Sequence, residues 1–258
     1  MSLPYYNKVV VSFEEVTKTY PYYAYIIAGL KNFLLKLPQA IKHSRKRFVA
    51  LKNISFQIYE GECFGIIGKN GAGKSTILSL ILGVIKPDKG RIYVKKRVSA
   101  LLELGSGFHP DLTGRENIIL NGVLLGMRKR KILREIEKII EFSELGDFID
   151  QPIRTYSLGM IARLGFSVVA HLEPEILLID EVLAVGDLGF QKKCIDKILS
   201  FKQNRVTIVF VSHNMQDIKN LCDRVMWIED HTIKMIGNPD EVIKAYEQNF
   251  KTKYIDEY

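Results

Sequence analysis

Apolar runs of strand length alternate along the chain with stretches of helical periodicity. Three of the runs are almost wholly apolar, which indicates strands buried on both faces of a parallel sheet. They are Cys63–Ile67, Ile176–Ile179 and Val206–Val211. Arg115–Glu144 is predicted to be mainly helical with a break near Gly126, and Ile161–Leu172 is predicted to be a helix. This alternation predicts an α/β fold with a mostly parallel sheet.

Further strands are predicted outside these three runs, and one of them has a different pattern. Val49–Ile58 alternates apolar and polar positions, which is typical of an antiparallel strand with one buried face. The other predicted strands are Val9–Val16, Arg91–Val94 and Val98–Leu104, with Val225–Ile228 and Thr232–Ile236 as a closing hairpin. We therefore expect an antiparallel β subdomain at the edge of the parallel core.

The composition narrows the class of protein. The chain has 258 residues, of which 47% are apolar and 26% charged, so it is expected to fold into one large domain or two small ones. It has no apolar run long enough to span a membrane and no signal-peptide pattern at its start, so we expect it to stay in the cytosol. Cys63, Cys194 and Cys222 lie far apart without a C-x-x-C motif, which argues against a zinc site or a disulfide framework. The net charge of +8 suits nucleic acid, anionic lipid or nucleotide as a partner, or solubility alone.

The first strong chemical signal follows the strand Cys63–Ile67. Residues 68–75 read Gly-Lys-Asn-Gly-Ala-Gly-Lys-Ser and fill every position of the phosphate-binding loop G-x-x-x-x-G-K-[ST]. In such a loop the backbone N–H groups surround a polyphosphate, Lys74 reaches its β- and γ-phosphates, and the Ser75 hydroxyl is a ligand of Mg²⁺. The predicted ATP-binding residues of this loop are Gly68, Lys69, Asn70, Gly71, Ala72, Gly73, Lys74, Ser75 and Thr76.

Two of the buried strands end in polar residues suited to hydrolysis. Ile176–Ile179 is followed by Asp180, predicted to hold Mg²⁺, and by Glu181, predicted to activate the attacking water as a general base. His213 follows the strand Val206–Val211 and is predicted to reach the γ-phosphate. Many strands end in an acid or a histidine, so each of these strand ends is a weak signal alone. Parallel strands present their carboxyl ends at one edge of the sheet, so after a phosphate loop these residues are expected to lie near the bound phosphates.

An insertion over residues 21–47 separates the first two strands. One face of its predicted amphipathic helix is apolar, and a basic segment follows it. The apolar positions are Ile26, Ile27, Leu30, Phe33, Leu34 and Leu37. This helix either docks on the core of its own domain or contacts a membrane surface or a partner helix, since aromatic residues and lysines favour such an interface.

The order of these motifs resembles the nucleotide-binding subunits of ATP-binding-cassette transporters, over about Val9 to Tyr246. Tyr156-Ser157-Leu158-Gly159-Met160 stands where that family has Leu-Ser-Gly-Gly-Gln, with different residues at Leu158 and Met160. The resemblance implies a P-loop NTPase core with a helical subdomain over about residues 104–172 that carries this signature motif. It further implies that Ser157 and Gly159 bind the γ-phosphate held by a second copy of the domain.

The variant Tyr-Ser-x-Gly-Met is similar to the branch of this family that exports bacterial polysaccharides, including O-antigen and teichoic acids. The stretch from Leu102 to Pro110 and the amphipathic insertion resemble that branch as well. By this resemblance Glu103 lies near the position of the glutamine that senses Mg²⁺ and contacts the membrane subunit. Tyr20 resembles the aromatic residue that stacks on adenine, with Phe48 as the competing candidate.

The resemblance implies an ATPase that works as a homodimer with a transmembrane permease dimer to export a lipid-linked polysaccharide. Such a chain is expected at the cytoplasmic face of the inner membrane as a peripheral protein, with residues 1–246 as the cassette and 247–258 as a polar tail. One alternative is a nucleic-acid-linked cassette ATPase, suggested by the net charge and by the basic run Arg128–Lys131. That run is also typical of a solvated helix start, and we expect no nucleic acid partner. Another alternative is export of capsule or a different substrate.

Overall fold

The computed structural model of the chain describes residues 8–21, 47–101, 107–180 and 187–255, with side chains as far as residue 249. Nearly all of the predicted amphipathic insertion lies outside these residues, and so do Glu103 and Glu181. The described ranges include the whole phosphate loop, Asp180, His213 and the motif from Tyr156 to Met160.

The described residues form nine strands, seven α-helices and two short 3-10 turns. The strands are β1 (Val9–Pro21), β2 (Arg47–Tyr59), β3 (Cys63–Ile67), β4 (Lys89–Val94), β5 (Val98–Leu101), β6 (Ile176–Asp180), β7 (Thr207–Val211), β8 (Arg224–Glu229) and β9 (Thr232–Gly237). The helices are α1 (Lys74–Leu82), α2 (Gly114–Leu124), α3 (Lys129–Ser143), α4 (Leu158–Ala170), α5 (Leu188–Gln203), α6 (Met215–Leu221) and α7 (Pro239–Ile255). The 3-10 turns are Gly146–Asp150 and Ile153–Thr155.

A six-stranded sheet forms the centre of the fold, in the order β5-β6-β7-β3-β8-β9. The first five strands are parallel, and β9 pairs antiparallel with β8 as the predicted closing hairpin. Every residue of β3 and β7 is buried, as expected for strands covered on both faces. The phosphate loop follows β3, Asp180 is the last residue of β6, and His213 lies two residues after β7. All three therefore lie at the carboxyl edge of this sheet.

A smaller antiparallel sheet, in the order β2-β1-β4, packs beside the central one. Aromatic rings join the two sheets, because Phe56 of β2 stacks on Phe13 of β1 at 4.5 Å and on Phe64 of β3 at 5.7 Å between ring centroids. These three side chains belong to one apolar core that also contains Ile77 and Leu78 of α1. The phosphate loop is therefore flanked by both sheets.

The helical segment is formed by α2, α3 and α4. The predicted break lies at Gly126, just after the end of α2. Its φ of 90° is in the left-handed region, a conformation that commonly ends helices. A capping box between Thr113 and Glu116 starts α2, and Ile132 and Ile139 of α3 are buried toward the core. The basic run Arg128–Lys131 spans the start of α3.

The last helix packs on the side of the closing hairpin. α7 continues without interruption from Pro239 past residue 246, the predicted end of the cassette, to Ile255. Val242 and Tyr246 are buried one turn apart, and the Tyr246 ring meets the Trp227 ring of β8 edge-on at 5.6 Å. The first half of the helix is thus part of the folded core.

Candidate functional site

The phosphate loop, residues 68–76, connects β3 to α1. Lys74 begins α1 and is buried, and its Nζ donates hydrogen bonds to the carbonyl oxygens of Gly68 at 2.8 Å and Lys69 at 3.2 Å. The side chain therefore closes the loop on itself and carries its positive charge into the loop. A polyphosphate bound there would meet this charge and the N-terminal N–H groups of α1, both of which favour anions.

Gly73 allows the loop to approach β2 closely. Its φ of 109° lies in the left-handed region, and a Cβ there would lie 2.5 Å from the Ala50 carbonyl oxygen and 2.6 Å from Leu51 Cδ2. Gly71 also has a positive φ, of 80°, but a Cβ on it meets nothing within 4 Å. Both glycines therefore adopt a backbone conformation that residues with a side chain rarely adopt. Of the two, only Gly73 also lacks the space for a Cβ atom.

This difference predicts unequal costs for two alanine substitutions. We expect Gly73→Ala to lower the free energy of unfolding by about 2–4 kcal/mol, because backbone strain and a steric clash add together. Gly71→Ala should cost only about 1 kcal/mol, since it introduces the strain alone. Urea unfolding of the two purified variants measures both values. Equal values would mean that the loop does not pack on β2 as described.

The carboxyl edge of the central sheet brings together four of the predicted site residues. The Ser75 Oγ donates a hydrogen bond to Asp180 Oδ2 at 3.3 Å, which connects the start of α1 to the end of β6. His213 Nε2 lies 3.5 Å from Lys74 Nζ. A hydroxyl and a carboxylate oxygen are ligands that Mg²⁺ prefers, so Ser75 and Asp180 fit the predicted metal. The cluster combines the phosphate loop, a hydroxyl–carboxylate pair and an imidazole at one place.

The signature motif lies on the helical segment, at the start of α4. Ser157 is the N-cap of α4, and its Oγ accepts a hydrogen bond from the Met160 backbone N–H at 3.2 Å. Leu158 is 85% exposed, Ser157 is exposed as well, and Gly159 is partly exposed. An apolar side chain and a helix N-terminus thus face outward, which is the arrangement expected of a surface that meets another molecule.

Tyr156 fixes the start of this motif. Its hydroxyl donates a hydrogen bond to the Phe148 carbonyl oxygen at 2.5 Å, and its ring is buried. Burial, with the nearby Asp150 carboxylate as a second cause, raises the pKa of Tyr156 to about 12, so the phenol remains a donor at neutral pH. The residues that follow it are thereby attached to the core of the helical segment.

An ion-pair cluster that motif matching did not reveal links the signature helix to α5. Arg163 of α4 pairs with Glu144 at 3.1 Å and with Asp187, the N-cap of α5, and it lies 4.9 Å above the Phe190 ring. The pKa of Asp187 lies below its usual value, mainly because its carboxylate accepts a hydrogen bond from the Phe190 backbone N–H. The positive charge of Arg163 is a lesser cause. The one sequence signal was an arginine on an otherwise apolar helix.

The two candidate adenine-stacking residues are neighbours. Tyr20 of β1 and Phe48 of β2 are directly paired in the small sheet, so their side chains lie on the same face. Lys18 Nζ lies 5.5 Å from the centre of the Tyr20 ring. Phe48 is 42% exposed, and its ring meets the His231 ring edge-on at 5.1 Å.

Comparison with known proteins identifies the family. The sequence model of the ABC transporter family matches residues 51–184 of this chain. The O-antigen export system ATP-binding protein RfbB of Klebsiella pneumoniae is 52% identical over 240 residues, which cover 93% of this chain and 98% of that protein. The chain belongs to the ABC transporter family. This membership confirms the predicted family and the predicted enzyme class, an ABC transporter ATPase.

Other relatives of this ABC transporter ATPase differ in length or in sequence. The teichoic acids export ATP-binding protein TagH of Bacillus anthracis is 43% identical over 244 residues, which are 95% of this chain and 43% of that protein. The solved dimeric ATP-binding cassette MJ0796, bound to ADP and Pi, has a TM-score of 0.70 at 21% identity and covers 89% of this chain and 98% of its own. The predicted fold class is thereby confirmed. In the part of the chain that the structure describes, no helix combines the length and apolar character needed to cross a bilayer.

Proposed function

We propose that this chain is the ATP-hydrolysing subunit of an exporter that moves a lipid-linked polysaccharide across the cytoplasmic membrane. The observation that carries the proposal is the convergence of Lys74, Ser75, Asp180 and His213 at the carboxyl edge of the central sheet. The names of the relatives, which include O-antigen and teichoic acid export proteins, support the class of cargo. We expect the subunit to work at the cytoplasmic face of the inner membrane as a peripheral protein.

Each residue of the cluster has a role in this proposal. Lys74 and the loop N–H groups bind the phosphates, and His213 contacts the γ-phosphate from the end of β7. Ser75 and Asp180 hold Mg²⁺, which neutralises charge on the phosphates when it is bound. Glu181, the residue after Asp180, accepts the proton of the attacking water. Tyr20 and Phe48 provide an aromatic surface for the adenine.

A second copy of the chain completes the site in this proposal. The exposed start of α4 offers the Ser157 hydroxyl, backbone N–H groups and a helix dipole to the γ-phosphate bound by the partner protomer. Closure of the dimer buries Leu158 and excludes water from the site. Closing and opening would then move a transmembrane permease dimer, which Glu103 and the insertion over residues 21–47 would contact.

The homodimer can be tested with one charge at its contact surface. In a Glu181→Gln background, we expect Gly159→Asp to weaken dimer formation with Mg·ATP by about 100-fold or more, because a carboxylate then faces the γ-phosphate. Leu133→Asp places the same charge on an exposed position of α3 and should leave dimer formation intact. Analytical ultracentrifugation measures dimer formation. An unaffected Gly159→Asp dimer would contradict the proposed interface.

The class of cargo needs an experiment in the cell. Replacement of the native gene by one encoding Lys74→Met should leave newly made, radiolabelled lipid-linked polysaccharide inside the cytoplasmic membrane, and a wild-type copy should restore its export. Export that continues at the normal rate, together with a loss of ATP turnover in the purified variant, would refute the polysaccharide cargo while the ATPase assignment stands. A pulse–chase measurement of surface polysaccharide separates these outcomes.

A further inference from the structure

A basic cavity lies where the helical segment meets the amino edge of the central sheet. Its volume is about 340 Å³, which is at the lower end of the range for small-molecule sites. Two of its lining residues, Arg97 and Glu173, precede β5 and β6, and the turn between α2 and α3 forms another part of its wall. The phosphate loop lies at the carboxyl edge of the same sheet, so this cavity is separate from the proposed ATP site.

Positive charge dominates the lining of the cavity. Its basic residues are Arg97, Arg128, Lys131 and Arg134, and among the described residues Glu173 is the one acid that lines it. Glu173 pairs with Lys131 at 2.7 Å, which leaves the three arginines without a carboxylate partner in the described part of the chain. Like charges gathered in one cavity repel one another, so a bound anion would stabilise this arrangement.

The start of α3 does not neutralise these charges. Arg128 is the N-cap of α3, but its side chain makes no capping hydrogen bond, and the first turn of the helix contains no acidic residue. Basic side chains at a helix N-terminus are unfavourable, because they face the positive end of the helix dipole. Arg128 and Lys131 of the basic run line the cavity, whereas Lys129 and Arg130 do not.

A buried hydroxyl in the wall of the cavity is an independent sign of a ligand. Ser99 of β5 is only 6% exposed, yet its Oγ has no hydrogen-bond partner among the described residues. No side-chain polar atom in that part of the chain is both unpaired and fully inaccessible, so the Ser99 Oγ reaches the surface of the cavity. Ser99 shares its face of β5 with Leu101, which belongs to the same apolar core as Met127 of the α2–α3 turn. The hydroxyl can therefore donate a hydrogen bond to an anion that the arginines attract.

We propose that this cavity binds a phosphate or diphosphate group, with Ser99 as a hydrogen-bond donor and Arg128 and Arg134 as the cations that neutralise its charge. The fork of an arginine matches the oxygens of a carboxylate or a phosphate, and three unpaired cations favour the group with the larger negative charge. The group belongs either to a soluble phosphate compound or to the headgroup of an anionic lipid, since both present the same oxygens. A bound group would connect the central sheet to the start of α3.

Two pairs of substitutions separate a site from general surface charge. Arg128→Gln together with Arg134→Gln removes two cations that line the cavity. Lys129→Gln together with Arg130→Gln removes two exposed cations from the same end of α3 that do not line it. The two double variants have the same net charge, so any non-specific attraction to an anion decreases equally in both. Ser99→Ala tests the hydroxyl alone.

The phosphate loop is a competing anion site, so every variant is made in a full-length Lys74→Met background. Isothermal titration with pyrophosphate at about 0.15 M salt measures a soluble ligand. Sedimentation with phosphatidylcholine vesicles, with and without phosphatidic acid, measures a lipid headgroup that carries a phosphate monoester. Thermal melting verifies that each variant is folded.

We expect the Arg128→Gln and Arg134→Gln double variant to lose at least about tenfold in affinity for pyrophosphate, because hydrogen bonds between charged groups are strong. Ser99→Ala should lose about three- to tenfold, which corresponds to one hydrogen bond. The Lys129→Gln and Arg130→Gln double variant should stay within about twofold of the background, because salt screens exposed charges. If the source is a lipid, the same ranking appears with phosphatidic acid vesicles instead of pyrophosphate.

Three results would overturn the inference. Equal losses in the two double variants would show that the anion responds to the overall basic charge of this surface. An unchanged affinity in Ser99→Ala would show that the buried hydroxyl has no part in binding. A background protein that binds neither pyrophosphate nor phosphatidic acid vesicles would show that the cavity does not accept a phosphate group. None of these results concerns ATP at the phosphate loop, so failure of this inference is distinct from failure of the proposed function.

Discussion

Replacement of Glu181 by glutamine is expected to slow ATP turnover by about 10²–10⁴-fold, the contribution typical of a general base. The amide has nearly the shape of the carboxylate but does not accept the proton of the attacking water. The affinity for ATP should remain close to the wild-type value, because in the proposed site Lys74 and the phosphate loop bind the triphosphate without Glu181. Dimers formed with Mg·ATP should consequently persist for longer.

A matched control is available at the other end of the same strand. Glu175 immediately precedes β6, and its Oε2 accepts a hydrogen bond from the Arg97 backbone N–H at 3.2 Å, at the amino edge of the sheet. Glu175→Gln should therefore leave turnover within about twofold of the wild type, because a surface substitution of this kind removes no group from the site. Single-turnover phosphate release, together with nucleotide titration, measures both variants. A decrease in ATP affinity that parallels the decrease in turnover would contradict the role given to Glu181.

The sequence was sufficient to predict the parallel core, for a physical reason. Strands such as β3 and β7 are covered on both faces, so their apolar runs are continuous and hard to mistake. The break near Gly126 was equally visible, because few residues other than glycine adopt its φ of 90°. The order of the phosphate loop, the Asp180-Glu181 strand and His213 indicated which strand ends should meet, and the structure brings Lys74 and His213 to 3.5 Å.

Contacts between distant segments could not be predicted in the same way. The pairing of Tyr20 with Phe48 depends on the register of β1 and β2, which is shifted at several points, and the alternation of residues does not reveal such shifts. The pair of Arg163 with Asp187 joins two helices that are separated by β6.

Lys74 is expected to matter for the binding of ATP as much as Glu181 does for turnover. Lys74→Met keeps the apolar stem in its buried position but removes the ammonium group that donates to the carbonyl oxygens of Gly68 and Lys69. Truncating one partner of a buried charge pair costs about 2–5 kcal/mol, so we expect the affinity for Mg·ATP to fall by roughly 10²–10³-fold. Turnover should be lost with it at ordinary concentrations of ATP.

An exposed lysine of the closing hairpin is the control for this prediction. Lys234 lies on β9 and is exposed, outside the proposed site. Lys234→Met removes an identical charge at the surface, so its effect on ATP affinity should be within a few-fold. Titration with a fluorescent ATP analogue compares the two variants, and circular dichroism verifies that both are folded. Equal losses in the two variants would mean that ATP responds to the overall positive charge of the protein, and the assignment of Lys74 as the residue that binds the phosphates would then be wrong.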